Sequence, residues 1–264
     1  MDEKENSTGK SVCVYVITHK QFPYMVSDDT YKPLQVGTAL NGKIFDLTDD
    51  TGDNISSKNK YFLDTTGLYW IWKNSPKYDI IGNEAYRRHF NLTKDEIVKT
   101  LEKYRVIASP LYLQNTIYEQ YKYCHIIKDL ESCEEVVKDL YPEYYEKFRL
   151  YIRNSKKLYI GNGFITTRDN YDRICSFCFN VLFKLEEIYN LHTSQEWFDY
   201  ADKNKEGIIP PDHKVDGMAV AEYQMQVPAF LCERLMSFYF SEVIGRVRDI
   251  EYKRLDEEYN KKLS

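Results

Sequence analysis

The sequence lacks the segments and signatures that mark several large protein classes. No window approaches the ~18 consecutive apolar residues of a transmembrane helix. The N-terminal stretch MDEKENSTGK is polar and acidic, without the apolar core of a secretion signal. There is no Walker loop, no Gly-x-Gly-x-x-Gly after the first predicted strand, no His-Glu-x-x-His and no Gly-x-Ser-x-Gly. These absences count against P-loop nucleotide hydrolysis, common dinucleotide chemistry, zincin proteolysis and α/β-hydrolase chemistry.

An excess of positive charge is also missing. The chain has 36 Lys and Arg residues against 41 Asp and Glu residues, which gives a net charge of −5. A protein that binds duplex nucleic acid usually shows a basic footprint. We therefore expect no nucleic-acid partner.

Cysteine occurs six times, and no double Cys-x-x-Cys set is formed. The one close pair, Cys175 and Cys178, lies in a helical pattern with apolar residues on the same face. This pattern predicts small hydrophobic side chains packed in a core rather than a redox or zinc site. In the absence of a secretion signal, we expect a cytoplasmic protein with reduced thiols.

Tyrosine is abundant, with 24 residues beside 13 Phe and 3 Trp. The tyrosine ring offers a sugar an apolar face and its hydroxyl offers a hydrogen bond. A compositional bias explains the abundance more simply, because Lys, Asn and Ile are frequent as well.

Strand and helix patterns alternate along the chain. Residues 12–17 form a β-branched and aromatic run typical of a buried strand in a parallel sheet. Residues 61–74 have helical apolar spacing, residues 77–82 read as the next strand, and Thr93 with Glu96 forms a capping box that opens another helix. The alternation predicts one α/β domain with a mostly parallel central sheet flanked by helices.

The ends of the chain differ in composition from the predicted domain. We expect a disordered lead-in over residues 1–10, a domain over residues 11–245 and a charged helix over residues 246–264. Such a helix either contacts a partner or membrane surface or is simply solvated. Residues 202–216, with two adjacent prolines and many charges, predict a mobile loop.

The exit of the predicted strand 77–82 is the most informative stretch. It carries Asn83 and Glu84, followed by the adjacent Arg87 and Arg88. Arginine forks match phosphate oxygens bidentately and stay charged at any working pH. A carboxylate can hold a divalent metal or a sugar hydroxyl. The segment therefore indicates a sugar-diphosphate site, with a solvated helix start as the alternative.

Other polar residues follow predicted strands or precede them. Thr18, His19 and Lys20 end the first strand, where open α/β sheets bind ligands. They form either a nucleotide-contact loop or a solvated strand end. Asp64 lies about one turn inside the helix that feeds the next strand. The two glycines that flank Asn162 allow a close approach of the backbone to a ligand.

In order and spacing, several segments resemble a bacterial family of glycosyltransferases that make capsular polysaccharide and exopolysaccharide. The family was long labelled as a domain of unknown function and has a His-Tyr-Arg-Arg-Tyr-Phe motif. The segments that carry the resemblance are Val16-Ile-Thr-His-Lys20, Pro33-Leu-Gln-Val-Gly37, Asp49-Asp-Thr-Gly-Asp-Asn-Ile-Ser56, Leu68-Tyr-Trp-Ile-Trp-Lys-Asn74, Tyr86-Arg-Arg88, Tyr118-Glu119, His125, Asn162-Gly-Phe-Ile165 and Phe230-Leu-Cys-Glu-Arg-Leu235.

The chain departs from the family pattern at a few positions. Ala85 and His89 stand where the family motif has its first His and its second Tyr. Asp64 stands where glutamate is usual, and an arginine expected near Gln226 is missing. These departures leave the donor sugar and the use of a metal open.

The resemblance implies a GT-A-type (Rossmann-like) fold and an inverting transfer from a UDP-sugar, with galactofuranose as the guessed sugar. The acceptor would be a glycan or lipid-linked glycan in surface polysaccharide synthesis. The protein would be cytoplasmic, with peripheral contact at the inner face of the membrane. The alternative is a non-catalytic module that binds a sugar nucleotide or a glycan.

Roles are assigned to individual residues on this basis. Donor contacts are expected from Thr18, His19, Lys20, Asp64, Asn83, Glu84, Arg87, Arg88 and Asn162. The candidate general bases are Glu233, Glu119 and Glu222, and for Glu233 the alternative is an ion pair with Arg234. Glu84 is the expected ligand if Mn²⁺ or Mg²⁺ takes part. In a metal-independent mechanism the arginines neutralise the diphosphate alone.

Overall fold

A computed structural model describes residues 9–208 and 218–257 of the chain. Its strands are β1 (Val12–Thr18), β2 (Tyr31–Gln35), β3 (Ile80–Ala85), β4 (Arg88–His89), β5 (Val106–Tyr112), β6 (Lys157–Thr167), β7 (Val247–Asp249) and β8 (Lys253–Arg254). Its α-helices are α1 (Thr38–Asn41), α2 (Asn59–Phe62), α3 (Thr65–Asn74), α4 (Lys94–Lys103), α5 (Ile117–Cys124), α6 (Ile127–Leu140), α7 (Pro142–Asn154), α8 (Arg168–Tyr189), α9 (Ser194–Asn204), α10 (Val220–Gln224) and α11 (Val227–Phe238).

The first strand is buried on both of its faces, as its continuous apolar run predicts. The odd-numbered residues from Cys13 to Ile17 belong to a large core. The even-numbered residues from Val12 to Val16 belong to a smaller core on the opposite face. Helix α4, whose predicted capping box at Thr93 and Glu96 is present, contributes to the smaller core. The sheet is therefore covered on both sides.

The main sheet has the strand order β2-β1-β3-β6-β5-β7. Strands β2, β1 and β3 are parallel, β6 is antiparallel to both β3 and β5, and β7 is parallel to β5. The predicted α/β fold with a mostly parallel sheet and flanking helices is confirmed. The reversed strand β6 matters for the site, because its middle lies beside the carboxyl end of β3, where Asn83 pairs with Phe164.

The predicted helix over residues 61–74 is broken into two pieces. Leu63, with φ 50° and ψ −130°, lies between α2 and α3. A leucine with this backbone conformation cannot continue a right-handed helix. The break places Asp64 at the start of α3 rather than one turn inside a helix.

Strand β5 passes through Pro110, although proline cannot donate a hydrogen bond to a neighbouring strand. The register with β6 shifts between Ala108 and Pro110, and β7 pairs with β5 only as far as Ala108. Because β5 has no second neighbour at Pro110, the missing N–H of proline breaks no ladder bond. The proline therefore sits on a locally exposed strand edge.

The predicted charged helix after residue 245 is wrong for residues 246–254, whereas residues 255–257 are helical. Val247–Asp249 is strand β7 of the main sheet, and Lys253–Arg254 pairs with β4. Hydrogen bonding of this segment to an open edge of the sheet stabilises a strand more than the spacing of its charges stabilises a helix. The lead-in lies outside the described residues up to residue 8, and the predicted mobile loop lies outside them from residue 209. The first three residues of the predicted loop, 202–204, belong to helix α9, which ends at Asn204.

All six cysteines are buried, including Cys175 and Cys178, for which the sequence predicts packing in a core. In residues 9–208 and 218–257, no helix has the length and apolar character needed to span a membrane.

Candidate functional site

The carboxyl ends of β1 and β3 and the middle of β6 meet at one edge of the sheet. At this edge Asn162 Nδ2 donates a hydrogen bond of 3.0 Å to Asp64 Oδ1. Asn83 Nδ2 donates one of 2.7 Å to the Asn162 carbonyl oxygen. Three predicted donor residues from three separate elements are thus brought together. Parallel α/β sheets bind ligands at this edge.

Backbone strain is concentrated on both sides of the Asp64–Asn162 bond. Leu63, directly before Asp64, and Asn162 itself both have φ of 50°. Within the described part of the chain, the buried Oδ1 of Asn162 has no hydrogen-bond partner. Strained backbone and unpaired buried polar atoms persist where the surroundings hold them, and they cluster at active sites and ligand clamps.

Glu233 reaches the same edge from α11. Its Oε1 accepts a hydrogen bond of 2.7 Å from the Gly161 backbone N–H, and its Oε2 accepts one of 3.0 Å from Arg234 Nη1. The side chain of Glu233 is 17% exposed. The predicted alternative, an ion pair with Arg234, is therefore present. Glu233 makes this ion pair and the hydrogen bond to Gly161 at the same time.

The Asp64 carboxyl is a weaker acid than an ordinary aspartic acid side chain. Burial raises its pKa to about 6, the hydrogen bond from Asn162 lowers it, the negative charge of Glu233 raises it and the positive charge of Arg88 lowers it. We call Asp64, Asn162, Glu233 and Arg88 the carboxylate cluster. A carboxyl with a pKa near neutrality, set by desolvation and specific charges, is typical of functional sites.

The glycines that flank Asn162 make room for side chains rather than for a ligand alone. A Cβ on Gly161, which has φ of +75°, would lie 2.2 Å from Arg88 Nη1. A Cβ on Gly163 would lie 2.2 Å from Tyr252 Oη. In the structure Arg88 and Tyr252 lie against these two glycines, and the approach of the backbone to a ligand stays a prediction.

A second group of predicted donor residues surrounds the ring of Tyr86. His19 packs its ring edge-on against Tyr86 at 5.4 Å, and the Arg87 guanidinium lies 5.2 Å from the Tyr86 ring centre. Burial, Lys20 and Arg87 lower the pKa of His19, so its ring is neutral at pH 7. We call His19, Lys20 and Arg87 around Tyr86 the basic group.

Thr18 plays a local part beside the basic group. Its Oγ1 donates to the Lys20 carbonyl oxygen at 2.5 Å and accepts from the Lys20 N–H at 3.2 Å. These bonds close the turn at the end of β1 and so set the position of His19. As a direct uridine ligand, Thr18 stays a prediction.

Glu84 has different partners from those predicted. Its Oε1 lies 2.7 Å from His89 Nδ1, and its Oε2 accepts a 3.0 Å bond from the Phe90 N–H. The carboxyl is buried, which raises its pKa, and the bond to His89 lowers it. Both oxygens are used inside the protein to hold the loop that carries Arg87 and Arg88.

The carboxylates of this edge do not fit a divalent metal site. The Glu84 carboxylate already binds His89 and the Phe90 N–H. The Glu233 carboxylate already binds the Gly161 N–H and Arg234. Over the described ranges, no group of three or more His, Cys, Asp or Glu side chains is placed to hold a metal ion. A role for Mn²⁺ or Mg²⁺ stays a prediction.

Replacing Glu84 with alanine should lower the free energy of unfolding by about 2–4 kcal/mol, because His89 and the Phe90 N–H lose their buried acceptor. Urea denaturation followed by circular dichroism measures the change. The control is Glu119→Ala on an exposed helix face, which should stay within about 0.5 kcal/mol of the wild type. Equal stabilities of the two variants would contradict a structural role of Glu84.

The other two predicted bases lie apart from the carboxylate cluster. Glu119 is exposed in the first turn of α5. Glu222 is exposed in the first turn of α10 and accepts a 3.2 Å bond from the Ala219 N–H. Among the residues with described structure, no contact joins either carboxylate to Asp64 or Glu233. Of the three predicted bases, the structure brings only Glu233 to the site.

Sequence reasoning missed Tyr252 and the contacts of Arg234. Tyr252 was counted as part of the charged helix over residues 246–264, and its spacing carries no signal of a site. Arg234 donates to the Phe230 carbonyl oxygen at 2.9 Å and to Gln120 Oε1 at 2.8 Å, which ties α11 to α5. The apolar helical pattern around Arg234 could have indicated a buried arginine with partners.

Residues 13–199 match the model of a protein family described as a domain of unknown function, DUF4422. The chain belongs to this family. The DUF4422 match covers the basic group and Asp64, Asn162 and Arg88, and it ends before Glu233 and Tyr252. The predicted membership of a family labelled as a domain of unknown function is confirmed.

A solved structure, the apo form of the bifunctional glycosyltransferase WbbM, has the same fold. The TM-score is 0.71 at 22% sequence identity, over 92% of this DUF4422 chain and 45% of that chain. The chain thus spans less than half the length of that protein. The predicted GT-A-like fold fits this likeness. No curated protein sequence matches the chain.

Proposed function

We propose that this DUF4422 protein is a glycosyltransferase that moves a sugar from a UDP-sugar to an acceptor hydroxyl. The observation that carries the proposal is the carboxylate cluster. It places a carboxyl with a pKa of about 6 beside an arginine at the ligand-binding edge of a sheet shared with a glycosyltransferase. Glycosyl transfer requires neutralisation of the leaving diphosphate and removal of the proton of the acceptor hydroxyl. The arginine and the carboxyl of the cluster can supply these two functions.

Arginine side chains neutralise the departing diphosphate. Arg88 lies against Gly161 within the carboxylate cluster. Arg87, its neighbour in the chain, and Lys20 lie in the basic group. A guanidinium stays charged at every working pH and offers a planar pair of donors to phosphate oxygens. The exposed ring of His19, which is neutral, offers a surface for the uridine, and the buried Tyr86 supports that ring edge-on.

Asp64 accepts the proton of the attacking hydroxyl. The acceptor oxygen forms a bond to the anomeric carbon, the bond from that carbon to the phosphate oxygen breaks, and UDP leaves from the opposite face with inversion. The acceptor proton passes to the Asp64 carboxylate, whose pKa of about 6 suits a base at neutral pH. Asn162 orients this carboxylate through Oδ1. Glu233 holds the Gly161 backbone beneath Arg88.

Donor and acceptor identity rest on the family resemblance. We propose galactofuranose as the transferred sugar and a glycan or lipid-linked glycan of a surface polysaccharide as the acceptor. The printed name of WbbM describes a bifunctional enzyme, of which this chain spans 45% of the length. One transferase activity is therefore proposed for this domain.

A melting-shift screen over nucleotide sugars, with Mn²⁺ or with EDTA, tests the proposal. We expect UDP and a UDP-sugar to raise the melting temperature, and UDP to be released when an acceptor glycan is added. Stabilisation without UDP release would instead support a non-catalytic binding module. No stabilisation by any UDP compound would contradict the proposal. An unchanged turnover in EDTA would assign charge neutralisation to the arginines.

A further inference from the structure

Tyr252 lies between β7 and β8, outside the residues that match the DUF4422 model. Its Oη is buried, and within residues 9–208 and 218–257 it has no hydrogen-bond partner. A buried tyrosine hydroxyl normally finds a partner, because leaving it unpaired costs free energy. The unpaired hydroxyl therefore needs an explanation.

The hydroxyl of Tyr252 is held in place by packing. Its ring lies 4.6 Å from the ring of Phe90, and a Cβ on Gly163 would lie 2.2 Å from Oη. Gly161, two residues earlier on β6, is approached in the same way by Arg88. Tyr252 and Arg88 therefore approach the same turn of β6, over residues 161–163.

Tyr252 is surrounded by the charges of the site. Burial raises the pKa of its hydroxyl far above the usual range, the charge of Arg88 lowers it, and the charges of Glu84, Asp64 and Glu233 raise it. The hydroxyl therefore keeps its proton at every working pH. It is a hydrogen-bond donor beside a cation.

The loop that carries Arg88 is fastened to the segment that carries Tyr252. Strand β8 pairs with β4, where Arg88 is opposite Arg254. The Leu255 N–H donates a 3.0 Å bond to the Arg87 carbonyl oxygen. The two side chains are thus held together by backbone bonds.

We propose that Tyr252 is a binding residue of the site and that its Oη donates a hydrogen bond to an oxygen of the donor diphosphate next to Arg88. The inference rests on the proposed function, since it names a ligand group for the same site. A diphosphate oxygen supplies the acceptor that the hydroxyl lacks. It also explains why the hydroxyl lies beside a guanidinium.

The test is Tyr252→Phe, which removes the hydroxyl and keeps the ring on Phe90. Binding of UDP and of uridine to the full chain is measured by calorimetry. We expect UDP to bind about tenfold more weakly, as for the loss of one hydrogen bond to a charged oxygen, and uridine to bind as to the wild type. The melting temperature should stay equal or rise, because an unpaired buried hydroxyl has been removed.

The matched control is Tyr15→Phe, whose hydroxyl is 2.9 Å from Ser75 Oγ, at the far end of α3 from Asp64. It should lower the melting temperature and leave UDP affinity unchanged. Unchanged UDP affinity in Tyr252→Phe, or an equal loss for UDP and uridine, would overturn the inference alone. If the wild type binds neither compound, the proposed function fails with it.

Discussion

Replacing Arg88 with alanine is expected to lower the turnover of sugar transfer by at least ~10²-fold. The reason is the loss of a positive charge fixed where the diphosphate leaves, and such preorganised charges act mainly on the transition state. Arg88 is half-buried against Gly161, and its charge is felt by both Asp64 and Tyr252. Steady-state release of UDP measures the effect.

Two further variants make the Arg88 result specific. Arg149→Ala removes a partly exposed arginine that pairs with Glu146 on α7 and should leave turnover unchanged. Arg87→Ala removes an exposed guanidinium of the basic group, where solvent screening limits the effect to about tenfold. Turnover of Arg88→Ala within threefold of the wild type would remove Arg88 from the diphosphate site.

Several features of the fold were accessible from local pattern. The continuous apolar run of β1 predicts burial on both faces, and the capping box at Thr93 and Glu96 predicts the start of α4. The exit of β3 predicts where Arg87 and Arg88 lie in the chain. In each case the deciding interaction is local, so a few adjacent residues contain the information.

Contacts between distant segments were beyond local pattern. Asp64 and Asn162 are 98 positions apart, and Gly161 and Glu233 are 72 apart. These four residues meet at one edge of the sheet because β6 runs antiparallel to its neighbours. The direction of a strand cannot be read from a short stretch of sequence. The segment over residues 49–56, which is part of the family resemblance, is a related case. Its buried Asp49 accepts bonds from Gly37, Ser56 and Thr66 and holds the chain together locally.

The neutral isostere Asp64→Asn should lower the turnover of sugar transfer by about 10³-fold, as loss of a general base does. The asparagine Oδ1 still accepts from Asn162 Nδ2, so the geometry is kept. In the wild type, kcat/KM should fall below about pH 6, where the Asp64 carboxyl takes up a proton. The variant should lack this limb of the pH profile.

The same substitution should stabilise the fold at neutral pH. The pKa of Asp64 is raised from 3.8 to about 6, so between these values the unfolded chain loses a proton that the folded protein keeps. The free energy of unfolding of the wild type therefore falls as the pH rises through this window. Asp64→Asn removes the penalty and should gain about 1–3 kcal/mol at pH 7.5 and almost nothing at pH 4.

Glu233→Gln separates Asp64 from its neighbour in the carboxylate cluster. Glutamine Oε1 still accepts from the Gly161 N–H, and the ion pair with Arg234 is lost. If Asp64 is the base, Glu233→Gln retains the acidic limb of the pH profile, but the limb lies at lower pH than in the wild type. The reason is the loss of a negative charge that raises the pKa of Asp64. If Glu233→Gln abolishes turnover while Asp64→Asn retains it, the role of base returns to Glu233. Asp64 would then be a residue that binds the donor.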